Sequence, residues 1–280
     1  MKPLHVGLST GCFYKSNINT HIDAVIDRGF DLIEISSSAS HLDIYDENSL
    51  RDLSNHLFDR GTKVLSFHAP FARDIDITST NDEERRYSQE TILQSLKAAR
   101  AVGSSNFVLH PWPEKEFPRE SHEKHRRREN AEEYIRRLAR RCHEYGIVLA
   151  LENMQPQLLI SPLKDLLWIR HETEEAHIGA CFDTGHAFLG RSLDFALKEL
   201  AGHIVMAHVS DNWGRKDDHL TPGRGAVDWK AFVSELLRQG FLGSFIIELE
   251  DREEVCPSAV LDEAWEGAEF LRKVIREEKR

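Results

Sequence analysis

Short apolar runs alternate with longer amphipathic segments from one end of the chain to the other. The runs are rich in Val, Ile, Leu and Phe, and their nearly continuous apolar character is typical of parallel strands that are buried on both faces. We therefore predict eight strands, at residues 4–9, 31–35, 63–68, 106–110, 148–152, 177–182, 204–209 and 245–248.

A helical pattern follows each apolar run, at residues 18–28, 49–60, 82–102, 121–145, 162–171, 193–200, 228–239 and 258–276. A glycine stands just after several of these patterns, where a left-handed helix cap favours it. No linker rich in Pro, Gly or Ser separates the repeated strand–helix units. The pattern predicts an α/β protein in which one closed (β/α)8 TIM barrel forms a single domain over residues 1–280.

Composition restricts the class of protein further. The chain has 280 residues, of which 40% are hydrophobic and 30% charged, and no apolar run approaches the roughly 20 residues of a membrane-spanning helix. The first residues lack the apolar core of a signal peptide, so we expect a cytoplasmic protein without a membrane partner. The four cysteines form no Cys-x-x-Cys pair, which argues against a thiolate zinc site. A net charge of −11 disfavours a nucleic-acid partner.

Acidic and imidazole side chains stand at the carboxyl ends of six predicted strands or in the loops that follow them. They are His68, His110, Glu152, Asp183, His186, His208, Asp217, His219 and Glu248. In a barrel of parallel strands these ends converge on one mouth. Imidazole and carboxylate ligands without thiolates suit Zn²⁺, Mn²⁺, Co²⁺ or Fe²⁺, so we predict a divalent-metal site there. Glu34 is an additional carboxylate near the end of the second strand, and Trp112 and Trp213 are expected to be exposed near the mouth.

These motifs resemble those of the xylose-isomerase-like barrel superfamily, which groups sugar phosphate isomerases and epimerases with the endonuclease IV type of DNA-repair nuclease (AP endonuclease family 2). The resemblance covers nearly the whole chain. The segments that carry it are His68-Ala69-Pro70-Phe71, His110-Pro111, Leu151-Glu152-Asn153, Phe182-Asp183-Thr184-Gly185-His186 and His208-Val209-Ser210-Asp211-Asn212, with Glu248. It implies a barrel fold and dependence on a divalent metal such as Zn, Mn, Co, Fe or Mg.

The resemblance to the isomerases and epimerases implies one metal ion and a sugar or sugar phosphate as substrate. The residues that match the ion's ligands are Glu152, Asp183, His208 and Glu248. Glu152 and Glu248 would also remove and return a proton through an enediolate. His186 would bind substrate, and Arg215 is a further candidate for contacting a substrate oxygen.

The resemblance to the endonucleases implies three zinc ions and cleavage of DNA at abasic sites. His68, His110 and Glu152 match one site, the four residues named above match the second, and His186, Asp217 and His219 match the third. The number of ions, from one to three, is therefore open, and so is the endonuclease alternative. A metal-stabilised binding barrel without catalysis is a third hypothesis, which ion pairs between buried arginines and Glu152 or Glu248 would favour.

Two features favour the sugar reaction. The first strand, Gly7-Leu8-Ser9-Thr10-Gly11-Cys12-Phe13, differs from the histidine-bearing opening of the nucleases. The loop at residues 36–41 has no Arg or Lys to hold bent DNA. Basic residues elsewhere leave the nuclease alternative open, namely Arg73, Lys115, Arg119 and Arg224. We predict a metal-dependent isomerase or epimerase of a small-molecule sugar or sugar phosphate; which sugar, which carbon and which oligomeric state stay open.

Overall fold

Eight parallel strands form a closed barrel in their sequence order, each paired with the next and the last with the first. The structure is a computed structural model that describes residues 4–71, 74–113, 122–155, 177–190 and 193–279. The strands are β1 (Val6–Ser9), β2 (Leu32–Ser36), β3 (Lys63–His68), β4 (Asn106–Leu109), β5 (Val148–Glu152), β6 (Ile178–Asp183), β7 (Ile204–Val209) and β8 (Phe245–Ile247). The predicted (β/α)8 barrel is confirmed, and each strand ends within one residue of its predicted end.

Helices follow these strands along the chain. They are α1 (Ile22–Asp27), α2 (Glu47–Asp59), α3 (Asp82–Ala101), α4 (His122–Glu144), α5 (Thr184–Leu189), α6 (Leu193–Glu199), α7 (Trp229–Arg238) and α8 (Pro257–Glu278). In α7 the buried residues are Trp229, Phe232, Val233 and Leu236, the spacing of one helical face. Within the described ranges, no helix is both long and apolar enough to cross a bilayer.

Two predicted helices and one unpredicted helix differ from the expected pattern. The helix predicted at 162–171 lies outside the described residues. The one predicted at 18–28 is wrong in its first half, because Asn17 caps a separate 3-10 turn at Ile18–Thr20 before α1 begins. Conversely, α5 was not predicted: it follows β6 directly, because the Asp183 carboxylate caps its first turn. His186 therefore lies on a helix rather than on a simple turn.

The interior of the barrel explains why polar residues meet at its mouth. Five fully buried side chains form a small apolar cluster separate from the main core, namely Val108, Ala150, Cys181, Met206 and Ile246. Side chains alternate between the two faces of a strand, so the residue two positions further along faces the same interior. Those residues are His110, Glu152, Asp183, His208 and Glu248. The pairing register of the strands fixes the position of these residues along the barrel axis: Asp183 is paired with His208, and Glu152 is paired with Cys181.

Candidate metal centre

Glu152, at the end of β5, lies at the centre of the mouth and is surrounded by imidazoles. Its Oε2 lies 3.3 Å from His68 Nε2, 3.2 Å from His110 Nε2 and 3.3 Å from His208 Nδ1. Its Oε1 lies 3.4 Å from His186 Nδ1. Five of the nine residues selected from the sequence therefore meet around one carboxylate.

Four residues form a tighter group, which we call the acidic cluster: Glu152, Asp183, His208 and Glu248. One ligand atom from each lies within 4.8 Å of every other. His208 Nδ1 is 3.3 Å from both Glu152 Oε2 and Glu248 Oε1, yet it makes no hydrogen bond, and neither does Asp183 Oδ2. Buried polar atoms of this kind are costly without a partner, so these atoms fit coordination to a cation.

The electrostatics of the cluster support the same fit. Burial raises the pKa of Asp183, with a further contribution from the negative charges of Glu152 and Asp217. Burial also raises the pKa of Glu248 to about 7, although His208 opposes the shift. Three carboxylates around one imidazole therefore carry excess negative charge in a buried place. A divalent cation would offset that charge, and one nitrogen with three carboxylate ligands is a donor set that Zn²⁺ or Mn²⁺ accepts.

Three histidines are fixed so that one ring nitrogen faces the mouth. His68 donates from Nδ1 to its neighbour's carbonyl, Ala69 O, at 2.8 Å. His186 donates from Nδ1 to Asn153 O at 2.8 Å, and His208 donates from Nε2 to Glu34 Oε2 at 2.9 Å. Histidines that bind metals almost always donate their other N–H to a carbonyl or carboxylate in this way.

Glu34, to which the sequence analysis gave no role, contacts a member of the acidic cluster. It is fully buried below the acidic cluster and accepts hydrogen bonds from Ser9 Oγ at 2.9 Å, Ser66 Oγ at 2.7 Å and His208 Nε2. Burial alone would raise the pKa of Glu34, but His208 outweighs it and holds that pKa below the ordinary value. Its position on the inner face of an apolar strand was the available signal, because a carboxylate there needs partners.

Burial also opposes protonation of His208. The surrounding acidic groups, among them Glu248, Glu34 and Glu152, nevertheless raise the pKa of His208 well above its ordinary value. A metal ion at His208 Nδ1 would therefore compete with a proton for this imidazole.

Asn153 and the start of α5 hold Asp183 in place. The Asn153 side chain accepts from Asp183 N at 2.8 Å and donates to Asp183 O at 3.0 Å. Asp183 Oδ1 accepts from His186 N at 2.6 Å, which leaves Oδ2 for the acidic cluster. The sequence analysis placed Asp183 correctly at the end of a strand, but nothing in the sequence indicated these hydrogen bonds.

A second group, His186, Asp217 and His219, adjoins the acidic cluster. Asp217 Oδ2 lies 3.1 Å from His186 Nε2 and 3.3 Å from His219 Nε2. Burial alone would raise the pKa of Asp217, but hydrogen bonds from both histidines hold it far below the ordinary value. Burial opposes protonation of His219, but Asp217 raises its pKa to about 9. Among the described non-glycine residues only His219 has a positive φ, of 43°, a local geometry that the sequence did not show.

Four other expectations have clear outcomes. Arg215 is exposed, and no described contact links it to the nine residues at the mouth. Arg224 pairs with Glu266 at 2.6 Å on the outside of the barrel, whereas Arg73, Lys115 and Arg119 lie outside the described residues. Trp213 is exposed as expected, at 61%, but Trp112 is buried, at 2%, because the loop after β4 folds it into the core. No described arginine pairs with Glu152 or Glu248. The ion pairs that would favour a metal-stabilised binding barrel without catalysis are therefore not found among the described contacts.

Known proteins resemble this chain over nearly its whole length. Inosose isomerase of Bacillus velezensis is 24% identical over 245 residues, 84% of each chain. The structure of D-psicose 3-epimerase with D-tagatose from Clostridium cellulolyticum has a TM-score of 0.83 at 17% identity, covering 98% of this chain and 99% of that one. That of the IolI protein with a zinc atom has a TM-score of 0.79 at 20% identity, covering 99% of both. The family model described as xylose isomerase-like TIM barrel matches residues 22–274. The chain therefore belongs to the xylose isomerase-like TIM barrel family.

Proposed function

We propose that this protein is a divalent-metal-dependent isomerase or epimerase of a sugar, with Glu152 and Glu248 as its acid and base. The observation that carries the proposal is the acidic cluster, where three carboxylates and one imidazole bring ligand atoms within 4.8 Å of one another at the barrel mouth. The similarity to an inosose isomerase and to a D-psicose 3-epimerase supports the reaction class. The zinc atom of the IolI structure supports the metal.

Glu152, Asp183, His208 and Glu248 would hold the ion, which when bound supplies Lewis-acid polarisation of a carbonyl and an adjacent hydroxyl. Glu152 ends β5, Glu248 directly follows β8, and the two approach His208 Nδ1 from these separate strands. Two carboxylates that flank one substrate can take a proton from the carbon beside a carbonyl and return it on the other face. The substrate passes through an enediolate between the two transfers.

Glu152 and Glu248 have different surroundings, which gives them different roles in the proposed proton transfer. Glu152 is enclosed by histidines, which hold it in one orientation. Glu248 is more open to the mouth and directs Oε1 toward His208, so its other oxygen, Oε2, is placed to exchange a proton with the substrate. His186 stands between the acidic cluster and Asp217; its Nδ1 donates to Asn153 O, so Nε2, 3.1 Å from Asp217 Oδ2, is the nitrogen that would contact a substrate hydroxyl.

Solvent hydrogen exchange tests the proposal. The full chain is incubated in D₂O with Mn²⁺ or Zn²⁺ and a panel of ketoses and keto-inositols, and deuterium at carbon is followed by NMR. We expect exchange with at least one sugar, its loss on chelation, and a fall of at least about 100-fold in Glu152→Gln and Glu248→Gln, because general acid–base catalysis typically contributes 10²–10⁴-fold. Full activity in either variant would remove the proton-transfer roles.

An endonuclease is the second candidate, because the structure also brings together the residues that its additional ions would need. His68 and His110 both approach Glu152 Oε2, and His186 and His219 both approach Asp217 Oδ2. The discriminating assay uses duplex DNA with one abasic site. Efficient nicking that a chelator abolishes, without deuterium exchange in any sugar, would replace the isomerase proposal.

A further inference from the structure

A cavity of about 820 Å³ opens beside the candidate metal centre, between the segments that follow β2 and β3. We call it the side cavity, and the residues used to define it are Tyr14, Ser37, Asp43, Tyr45, Phe71 and Tyr87. None of these residues belongs to the acidic cluster. The side cavity is therefore a feature that the proposed proton transfer does not use.

The inner end of the side cavity is the wall of the metal centre. Ser37 donates from Oγ to His68 O at 2.6 Å, which ties the loop after β2 to the end of β3. The ring of Phe71, which lines the cavity, lies 4.9 Å from the His68 ring and 5.1 Å from the His110 ring. The side cavity and the metal centre are thus neighbours that share the Phe71 ring as a wall.

The size of the cavity exceeds what one sugar ring requires. A hexose has six carbon–oxygen units, and at about one water volume of 30 Å³ each it fills roughly 180 Å³. The side cavity alone has about 820 Å³. It has room for a second ring in addition to one at the metal centre.

The lining has the chemistry of a carbohydrate site. Tyr45 and Tyr87 are 65% and 53% exposed, and both line a concave surface. Aromatic faces pack against the C–H face of a sugar while a tyrosine hydroxyl forms hydrogen bonds. Asp43 and Asp74 add carboxylates that accept strongly from hydroxyl groups. They are the charged lining residues in the described part of the chain, and they repel a phosphate.

We propose that the side cavity binds a second, uncharged sugar ring, so that the substrate is a glycoside or a disaccharide rather than a free monosaccharide or a sugar phosphate. This inference rests on the proposed function for the position of the first ring. The second ring packs against Tyr45 and Tyr87 and donates hydroxyl hydrogens to Asp43 and Asp74. Specificity then comes from the loops after β2 and β3, while the acidic cluster handles the reacting carbons.

Matched sugars test the inference. D-fructose, fructose 6-phosphate and two glucosyl-fructoses, linked through O4 or O6, are titrated into the Mn²⁺-loaded full chain by calorimetry. We expect at least one disaccharide to bind ten or more times tighter than D-fructose. Tyr45→Ala and Tyr87→Ala should each weaken that disaccharide about tenfold and leave D-fructose unchanged. Phe58→Ala is the control, because Phe58 is 83% exposed on α2 and does not line the cavity.

Several results would overturn the inference. They are disaccharide binding no tighter than D-fructose, equal weakening of both sugars in the tyrosine variants, and tighter binding of the phosphate ester. A dimer in sedimentation that Tyr45→Ala dissociates would assign the surface to a second copy of the chain instead. Deuterium exchange on the same samples separates this inference from the proposed function: exchange without disaccharide preference removes only the subsite, and preference without exchange removes only the reaction.

Discussion

Glu34→Gln tests how the buried carboxylate below the metal centre acts. Glutamine keeps the shape of Glu34 but not its charge, and its amide accepts fewer of the three hydrogen bonds now donated by Ser9, Ser66 and His208. Since His208 Nε2 donates to Glu34, the charge makes the opposite nitrogen, Nδ1, a better ligand. The variant should therefore bind metal more weakly while retaining every residue of the acidic cluster.

The magnitude follows from the kind of contact that is lost. Removing the partner of a metal-binding histidine typically costs 10–100-fold in metal affinity, which is about 1.4–2.7 kcal/mol at 1.36 kcal/mol per factor of ten. The free energy of unfolding should fall by about 1–3 kcal/mol as well, because a buried charged hydrogen bond is weakened. Titration of the metal-free protein with Co²⁺, followed by its visible absorption, measures the affinity and the ligand geometry together.

Asp76→Asn provides the matched control. Asp76 is also a buried carboxylate, and it accepts from Arg127 Nη1 at 2.8 Å and from Thr78 Oγ1 at 2.6 Å. No described contact joins it to the barrel mouth, so Asp76→Asn should lose comparable stability and keep wild-type metal affinity. A folded Glu34→Gln protein whose affinity stays within twofold of wild type would refute the orienting role of Glu34.

Three further predictions concern the same mouth. Metal affinity should rise from pH 6 to pH 8 by up to about tenfold per unit for each proton released, because acidic neighbours raise the pKa of His208 well above its ordinary value and burial raises the pKa of Glu248 to about 7. A Kd that is flat with pH in calorimetry would contradict this. Asn153→Ala removes both hydrogen bonds to the Asp183 backbone. Chemical denaturation should show that the free energy of unfolding falls by about 1–3 kcal/mol, and the variant should bind metal more weakly. Unchanged metal affinity would show that Asp183 does not need these two hydrogen bonds. Gly225→Ala would place its Cβ 2.3 Å from Asp211 Oδ1, so thermal unfolding should show that the free energy of unfolding falls by about 1–3 kcal/mol. Wild-type stability would mean that the loop around Gly225 adjusts to the added methyl group.

The alternation of apolar strands and helices was sufficient to predict the barrel, and the barrel rule was sufficient to select the residues at its mouth. Glu152, Asp183 and His208 could be selected because each ends an inner-facing apolar strand, where a polar side chain is conspicuous. Glu34 occupies the same kind of position on β2, but its contact with His208 joins residues 174 positions apart. Such a pairing depends on tertiary structure and leaves no local sign in the sequence.

Local backbone geometry was the second feature that could not be predicted from the sequence. Asp-Thr-Gly-His is compatible with a simple turn, and only the folded chain shows that Asp183 caps α5 and so turns His186 toward Asp217. The left-handed backbone at His219 has no sequence signature, because histidine adopts it only where surrounding contacts impose it. Trp112 was misplaced for a related reason, since burial of a loop aromatic depends on what packs over it.

Anomalous diffraction from crystals grown with Mn²⁺ or Zn²⁺ tests the central claim most directly. The acidic cluster should show one strong peak at about 2.0–2.2 Å from a carboxylate oxygen or imidazole nitrogen of Glu152, Asp183, His208 and Glu248, the distances typical of such ligands. That peak should be absent in crystals of His208→Ala. A cluster without a peak, with its carboxylates paired to one another or to protein cations, would contradict the metal centre and the proton transfer built on it.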